Sequence, residues 1–137
     1  MLTDQRGAPL AVLITAANCP DMKAALATVD SLIVSRPAPR RYHPQHLCLD
    51  KGYDYPEIEA GARQRAYRPH IRRRGEEKMA PDGSRSRPAR RWVVERTGSW
   101  HNRFRKLLIR WEKKAQNYLA LVHLACCLIV YRLIVLG

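Results

Sequence analysis

Acidic side chains are scarce in this chain: 12 Asp and Glu face 25 Lys and Arg, leaving a formal net charge of +13 over 137 residues. A surplus of that size points to a polyanionic partner, nucleic acid first and an anionic membrane surface second. Cysteine is sparse and badly spaced for chemistry. The four, at 19, 48, 126 and 127, form no C-x-x-C pair, and three lie in apolar runs. They read as small buried hydrophobes in a reducing compartment. The opening MLTDQRGAPL has no basic region ahead of an apolar core, so no secretory signal is expected there. The five histidines (43, 46, 70, 101 and 123) fall at no zinc spacing. His101 follows Glu95 by almost two helical turns, where it could meet DNA, although a solvated or packed histidine is the commoner case. No Ser/His/Asp or P-loop signature and no internal repeat is present.

What the chain does have is enough apolar residue, 46%, for one globular domain rather than general disorder. Its positive charge is mostly arginine, which grips phosphate with two prongs where lysine offers a point charge. A high-GC genome also enriches arginine, but here the charge is clustered: residues 63–114 hold 18 of the 25 basic residues and five acids. Trp92, Trp100, Phe104 and Trp111 lie among them. Such rings can stack on unpaired bases, although at least half are expected to face a core.

Along the chain, Leu2 to Asp4 reads as a strand end, Gln5 to Pro9 as a turn and Leu10 to Ala16 as a buried strand, together an antiparallel hairpin. Asn18 to Asp21 starts a helix over Asp21 to Val34, with Met22, Ala25, Leu26, Val29, Leu32 and Ile33 as its stripe. Ser35 to Pro44 is a proline-broken loop. His46 to Leu49 is a strand ending at Asp50, Tyr55 to Arg65 a helix with Pro56 in its first turn, and Ala66 to Ile71 a strand. Residues 72–90 read as a basic flexible insert. Arg91 to Trp111 reads as one long helix with aromatic and basic residues interleaved, and Tyr118 to Leu136 as a strongly apolar one. The last run grazes transmembrane length, but His123 and Arg132 interrupt it, so a core helix on a sheet is expected over a membrane anchor. The expected architecture is α/β, a mixed sheet flanked by helices with two long helices at the end.

Three acids stand out by position. Asp4 follows the first strand stub, Asp50 follows the apolar Leu47-Cys48-Leu49, and Glu95 follows Trp92-Val93-Val94. A carboxylate in apolar surroundings is costly unless paired with a cation. Three hard oxygen donors suit Mg²⁺ or Mn²⁺, and two such ions can clamp the attacking and leaving oxygens of a phosphoryl transfer. Asp21, Asp30 and Asp54 compete on spacing alone, and a simple pairing with arginine explains any one acid taken singly.

LTDQRGAPLAVLITAANCPD, LCLDKGYD and the long block from RRWVVERTGSW to LIVYR resemble the bacterial insertion-sequence four/five superfamily of DDE transposases. The resemblance covers nearly the whole chain. It implies a ribonuclease-H-like fold over 1–137 as a single domain and two Mg²⁺ or Mn²⁺ ions held by Asp4, Asp50 and Glu95. Gly52 and Tyr53 complete the D-x-G-Y motif of Asp50, and Arg91 matches the arginine of the Y-x2-R-x3-E-x6-K signature around Glu95. Pro88 stands at the tyrosine of that signature and Asn102 at the lysine, with Arg103 beside it.

The resemblance implies metal-dependent cleavage at insertion-sequence ends and strand transfer into target DNA. Arg91, Arg96, Arg103, Arg105, Lys106 and Arg110 are the expected phosphate contacts. Expected partners are DNA, a second copy of the chain on DNA and an upstream N-terminal half. The expected location is the bacterial cytoplasm at the nucleoid, with no membrane. Only Met1 to Thr3 precede the first acid, so the chain is expected to be N-terminally truncated, a partial or split-frame copy inactive alone. The rival reading is a non-catalytic basic DNA-binding fragment; the third is a membrane-associated basic protein.

Overall fold

A computed structural model describes residues 1–71 and 91–136, Arg91 and Trp92 as backbone alone; the expected insert at 72–90 lies outside these residues. The chain is mixed α/β. It divides into two compact units, the first of Met1–Cys19, Ala27–Val34 and Trp92–Gly137, the second of Pro20–Leu26 and Ser35–Arg91. The helix Asp21–Asp30 (α1) contributes residues to both.

In the first unit, strands Leu2–Thr3 (β1) and Pro9–Ala11 (β2) pair antiparallel, with a register shift between Leu2 and Thr3. The hairpin is the expected one, but β2 is three residues long instead of running to Ala16. Beyond Ala11 the chain leaves the ladder, and Leu13 is exposed. Gly7 takes φ +85° in the connecting turn, a conformation glycine adopts without strain.

The expected long helix is two. Helix Arg91–His101 (α3) ends where Arg103 N bonds Trp100 O (3.2 Å) and Phe104 N bonds His101 O (2.9 Å). These tighter i to i+3 bonds close the last turn, and Phe104 is extended (φ −89°, ψ 97°) before the short helix Arg105–Leu108 (α4). The apolar residues beyond it find no core: Ile109 and Trp111 are exposed, Trp111 to 75%.

Helix Ala115–Val135 (α5) packs on β2 and α4 through a narrow stripe, Val122, Ala125 and Ile129. Its apolar composition runs all round, so Leu124, Leu128, Tyr131 and Ile134 are exposed. The expected core helix is thus buried on one stripe only. By length and composition it is also the helix able to cross a membrane among the described residues.

The second unit is a strand–helix–strand. Strands Gln45–Leu49 (β3) and Tyr67–Ile71 (β4) pair parallel, Gln45 opposite Tyr67 and Leu49 opposite Ile71. Parallel strands need a crossover, supplied by helix Pro56–Gln64 (α2). Pro56 opens α2, where its missing N–H costs nothing, and Glu57 and Glu59 suit the positive end of the helix dipole. Its inner face is Ile58, Gly61 and Ala62. A Cβ on Gly61 would stand 2.3 Å from Leu26 Cδ1, so the absent side chain is what lets α1 approach. Arg36 ties the loop after α1 down: it donates to Gln45 Oε1 (2.6 Å) and Arg65 O, and lies over the Tyr67 ring at 4.0 Å. The described strands therefore form two two-stranded sheets, where one mixed sheet was expected.

The buried-cysteine expectation fails in part. Cys48 and Cys127 are exposed, and Cys19 and Cys126 are half-buried. Cys48 lies at the outward position of a strand whose inward residue is Leu47, 4% exposed.

Candidate functional site

Asp50 stands where β3 ends. Its φ −73° and ψ 163° turn the chain out of the strand, and it caps the single 3₁₀ turn Lys51–Tyr53. Oδ1 accepts from Lys51 N at 2.7 Å, and Tyr53 N donates to Asp50 O at 2.9 Å. The D-x-G-Y residues therefore build one hydrogen-bonded turn that fixes the aspartate relative to the strand. The Tyr53 phenol is held above its usual range, first by burial, then by the charges of Asp21 and Asp50. Two acids thus bear on one half-buried phenol, and Asp21 is one of the competitors that spacing left open.

Asp4 is half-buried and caps its own turn. Oδ1 accepts from Arg6 N and Ala8 N, both at 2.8 Å, while Gly7 N donates to Asp4 O at 3.1 Å. A two-residue strand would fix a carboxylate poorly; the turn does so instead.

Glu95 is exposed, against the expectation of apolar surroundings. The reason is helical geometry. Val93 (5% exposed) and Thr97 (fully buried) face inward on α3, and at about 100° per residue Glu95 points roughly 200° away from Val93. The inward face is held by the first hairpin. Thr97 Oγ1 lies 2.7 Å from Gly7 O and 3.0 Å from Val93 O. A Cβ on Gly7 would come within 2.9 Å of that hydroxyl.

Asp4 and Glu95 belong to the first unit and Asp50 to the second. Among the described residues no group of three His, Cys, Asp or Glu side chains is gathered that could hold a metal ion.

The basic residues divide by what they touch. Arg96 is committed locally: its guanidinium donates to Arg6 O and lies over the Trp100 ring at 5.1 Å. Arg103, Arg105 and Lys106 are exposed. Arg110 donates from Nε to Glu112 O at 3.2 Å and covers the Tyr118 ring at 5.5 Å. Arg103 and Arg132 border a cavity of about 250 Å³ with Trp100, Phe104, Ile129, Leu133 and Leu136. His101, which was free on sequence to meet DNA, instead bridges α3 and α5. Its Nδ1 lies 2.9 Å from Thr97 O and its Nε2 3.3 Å from Cys126 Sγ.

Against known proteins, the Transposase DDE domain matches residues 1–130. The chain belongs to the DDE transposase family. A Burkholderia cepacia protein described as "Putative transposase for insertion sequence element IS402" is 35% identical over 136 residues. That alignment takes in 96% of this chain and 61% of the relative, so the chain spans about three fifths of the relative's length. No solved structure matches.

Within this chain, sequence reasoning placed Asp50 at the end of a strand, as the structure has it, but passed over Gly7, Thr97 and Tyr53 as partners. Gly7 and Thr97 are ninety positions apart, and no local pattern links them. Tyr53 was legible as a motif member, and its tie to Asp21 was not.

Proposed function

We propose that this chain is the catalytic portion of an insertion-sequence transposase, cutting DNA at the element's ends and joining them to target DNA. The observation that carries the reading is the turn Asp50-Lys51-Gly52-Tyr53 at the end of a parallel strand, inside a chain matched to the DDE domain over 1–130. A ribonuclease-H-like fold over 1–137 as one domain is part of the proposal, and so is work in company, with further transposase polypeptide and a second copy on DNA. The proposed place of action is the bacterial nucleoid.

Asp4, Asp50 and Glu95 are assigned as the acids that bind two Mg²⁺ or Mn²⁺ ions, on the motif match residue by residue. Carboxylates are the right donor class for those ions. Asp4 and Glu95 lie in one compact unit and Asp50 in the other, and each is presented in its own way. Asp50 offers a carboxylate fixed by its turn, Asp4 one fixed by the hairpin, and Glu95 one that a ligand can reach from solvent. Arg103, Arg105, Lys106 and Arg110, with Arg91, are assigned to phosphates; Arg96 would need to leave Arg6 and Trp100 to join them.

The exposure of Glu95 favours a second reading, a basic DNA-binding fragment without catalysis. Supercoiled plasmid carrying the element's ends separates the two. The chain is assayed with Mg²⁺, alone and with the N-terminal portion of the related transposase. End-specific nicking in either mixture, lost in Asp50→Asn and Glu95→Gln while DNA binding persists, supports catalysis. Binding with no nicking in both mixtures leaves the fragment reading.

A further inference from the structure

The parallel pairing of β3 and β4 brings two histidines together. His46 opposes Arg68 and Cys48 opposes His70, and all four side chains are exposed on the face away from buried Leu47. Alternation along each strand puts them on one side of the sheet, on backbones fixed by ladder hydrogen bonds. His46 Nδ1 lies 2.5 Å from His70 Nε2, with ring centroids 4.7 Å apart and planes 34° apart. That separation is shorter than the about 2.7–3.2 Å usual for an N–H donor. Two imidazole nitrogens so placed point at one another, and a metal ion can take the position between them.

We propose that His46 and His70 form a two-histidine site for a borderline divalent ion such as Zn²⁺, its remaining positions filled by water. Zinc binds imidazole nitrogen at about 2.0–2.1 Å, so the two nitrogens need open by less than about 1 Å, which exposed rings on fixed strands achieve by side-chain rotation. Imidazole selects Zn²⁺, Cu²⁺ or Ni²⁺ over the hard ions that suit carboxylates. Arg68, on the same face, adds a positive charge that further disfavours ions held by charge alone. The site is independent of the catalytic reading. It also lies on the strand that ends at Asp50, so a bound ion would clamp β3 to β4 four residues ahead of that acid.

Zn²⁺ is titrated into the metal-stripped full chain in competition with a chromogenic chelator, with Mg²⁺ as the control ion. The expected result is one bound Zn²⁺, weakened at least tenfold by His46→Gln and by His70→Gln but not by His123→Gln, with no response to Mg²⁺. Thermal melts make the second measurement: Zn²⁺ should raise the Tm of the parent chain and leave that of either variant unmoved. Both histidines are exposed, so the variants should melt normally without metal. Equal Zn²⁺ affinity in the parent and both variants, or no Zn²⁺ binding at all, overturns the site.

Discussion

The turn at Asp50 and the helix at Glu95 carry two of the acids proposed to bind metal, and the chain holds them by opposite means. Asp50 is placed by its immediate neighbours: a strand that ends, a cap on Lys51 N and Tyr53 closing the turn. Glu95 is placed by what happens on the far side of α3, where Thr97 meets Gly7 of the hairpin. Local hydrogen bonds fix the first acid whatever the rest of the chain does. The second is only as well aimed as a distant contact makes it. In the catalytic reading, then, Glu95 is the acid whose position depends on assembly.

The largest expected effect concerns the basic groups around α3 and α4. Should the exposed set touch about six phosphates, DNA affinity falls roughly a thousandfold between 50 and 200 mM salt. Arg105→Ala and Lys106→Ala should each flatten that slope, by about one unit of log affinity per log salt for each phosphate no longer neutralised. Arg96→Ala should act differently, lowering stability because its guanidinium holds the hairpin to α3. A salt slope that falls equally in all three variants would erase the distinction between locked and exposed arginines.

Next in size is the acid pair itself. In a DDE transposase mixture that cleaves, Asp50→Asn and Glu95→Gln should each cut the rate by at least about a hundredfold, since even outer partners of metal ligands cost 10–100-fold. Stability should separate them. Glu95 is exposed, so Glu95→Gln should stay within about 0.5 kcal/mol of the parent in urea unfolding. Asp50→Asn should cost more, because the cap on Lys51 N passes from a charged to a neutral acceptor. Equal stability losses would mean that the turn does not depend on the carboxylate.

How far the sequence exposed this arrangement follows the same divide. The β3–α2–β4 unit was legible almost to the residue, because its signals are local: an apolar run ending in Asp50, Pro56 at a helix start, and alternation through Tyr67–Ile71. The hairpin was legible too, except that β2 stops at Ala11. The single long helix over Arg91 to Trp111 was wrong, since aromatic spacing continues past Phe104 while the backbone does not. The apolar surroundings expected for Glu95 were wrong for a related reason. Adjacency to Val93 and Val94 says nothing about which side of α3 is covered, and Gly7, ninety positions from Thr97, decides it.

The Thr97–Gly7 pair can be broken from either side. Thr97→Val keeps the shape and removes the hydroxyl that reaches Gly7 O in a fully buried position, so it should cost about 1–3 kcal/mol. Gly7→Ala meets the same hydroxyl at 2.9 Å and must hold φ +85°, at a cost of roughly 1–2 kcal/mol from the backbone alone. Because the two act on one contact, the double variant should lose less than the sum. Additive losses in urea unfolding would show that Thr97 and Gly7 stabilise the unit separately.

The smallest effect is a pH dependence on the opposite side of α3's anchor. Cys126 lies against His101 Nε2, and its thiol is raised to about 11, chiefly by burial and then by the neighbouring Cys127. With His101 Nδ1–H given to Thr97 O, Nε2 is the acceptor and the protonated thiol the donor. A group whose folded pKa lies above its unfolded value keeps its full contribution while the pH is below the unfolded value. Deprotonation then costs the fold more than it costs the open chain. Stability should therefore hold up to about pH 9 and decline toward pH 11. Tyr53, also raised, adds to the alkaline loss from the second unit. Urea unfolding at intervals from pH 8 to 11 should show a shallower decline in Cys126→Ala, with the remainder removed by Tyr53→Phe. A decline unchanged in Cys126→Ala would mean that the thiol ionises no harder in the fold than outside it, and that His101 is fixed by Thr97 alone.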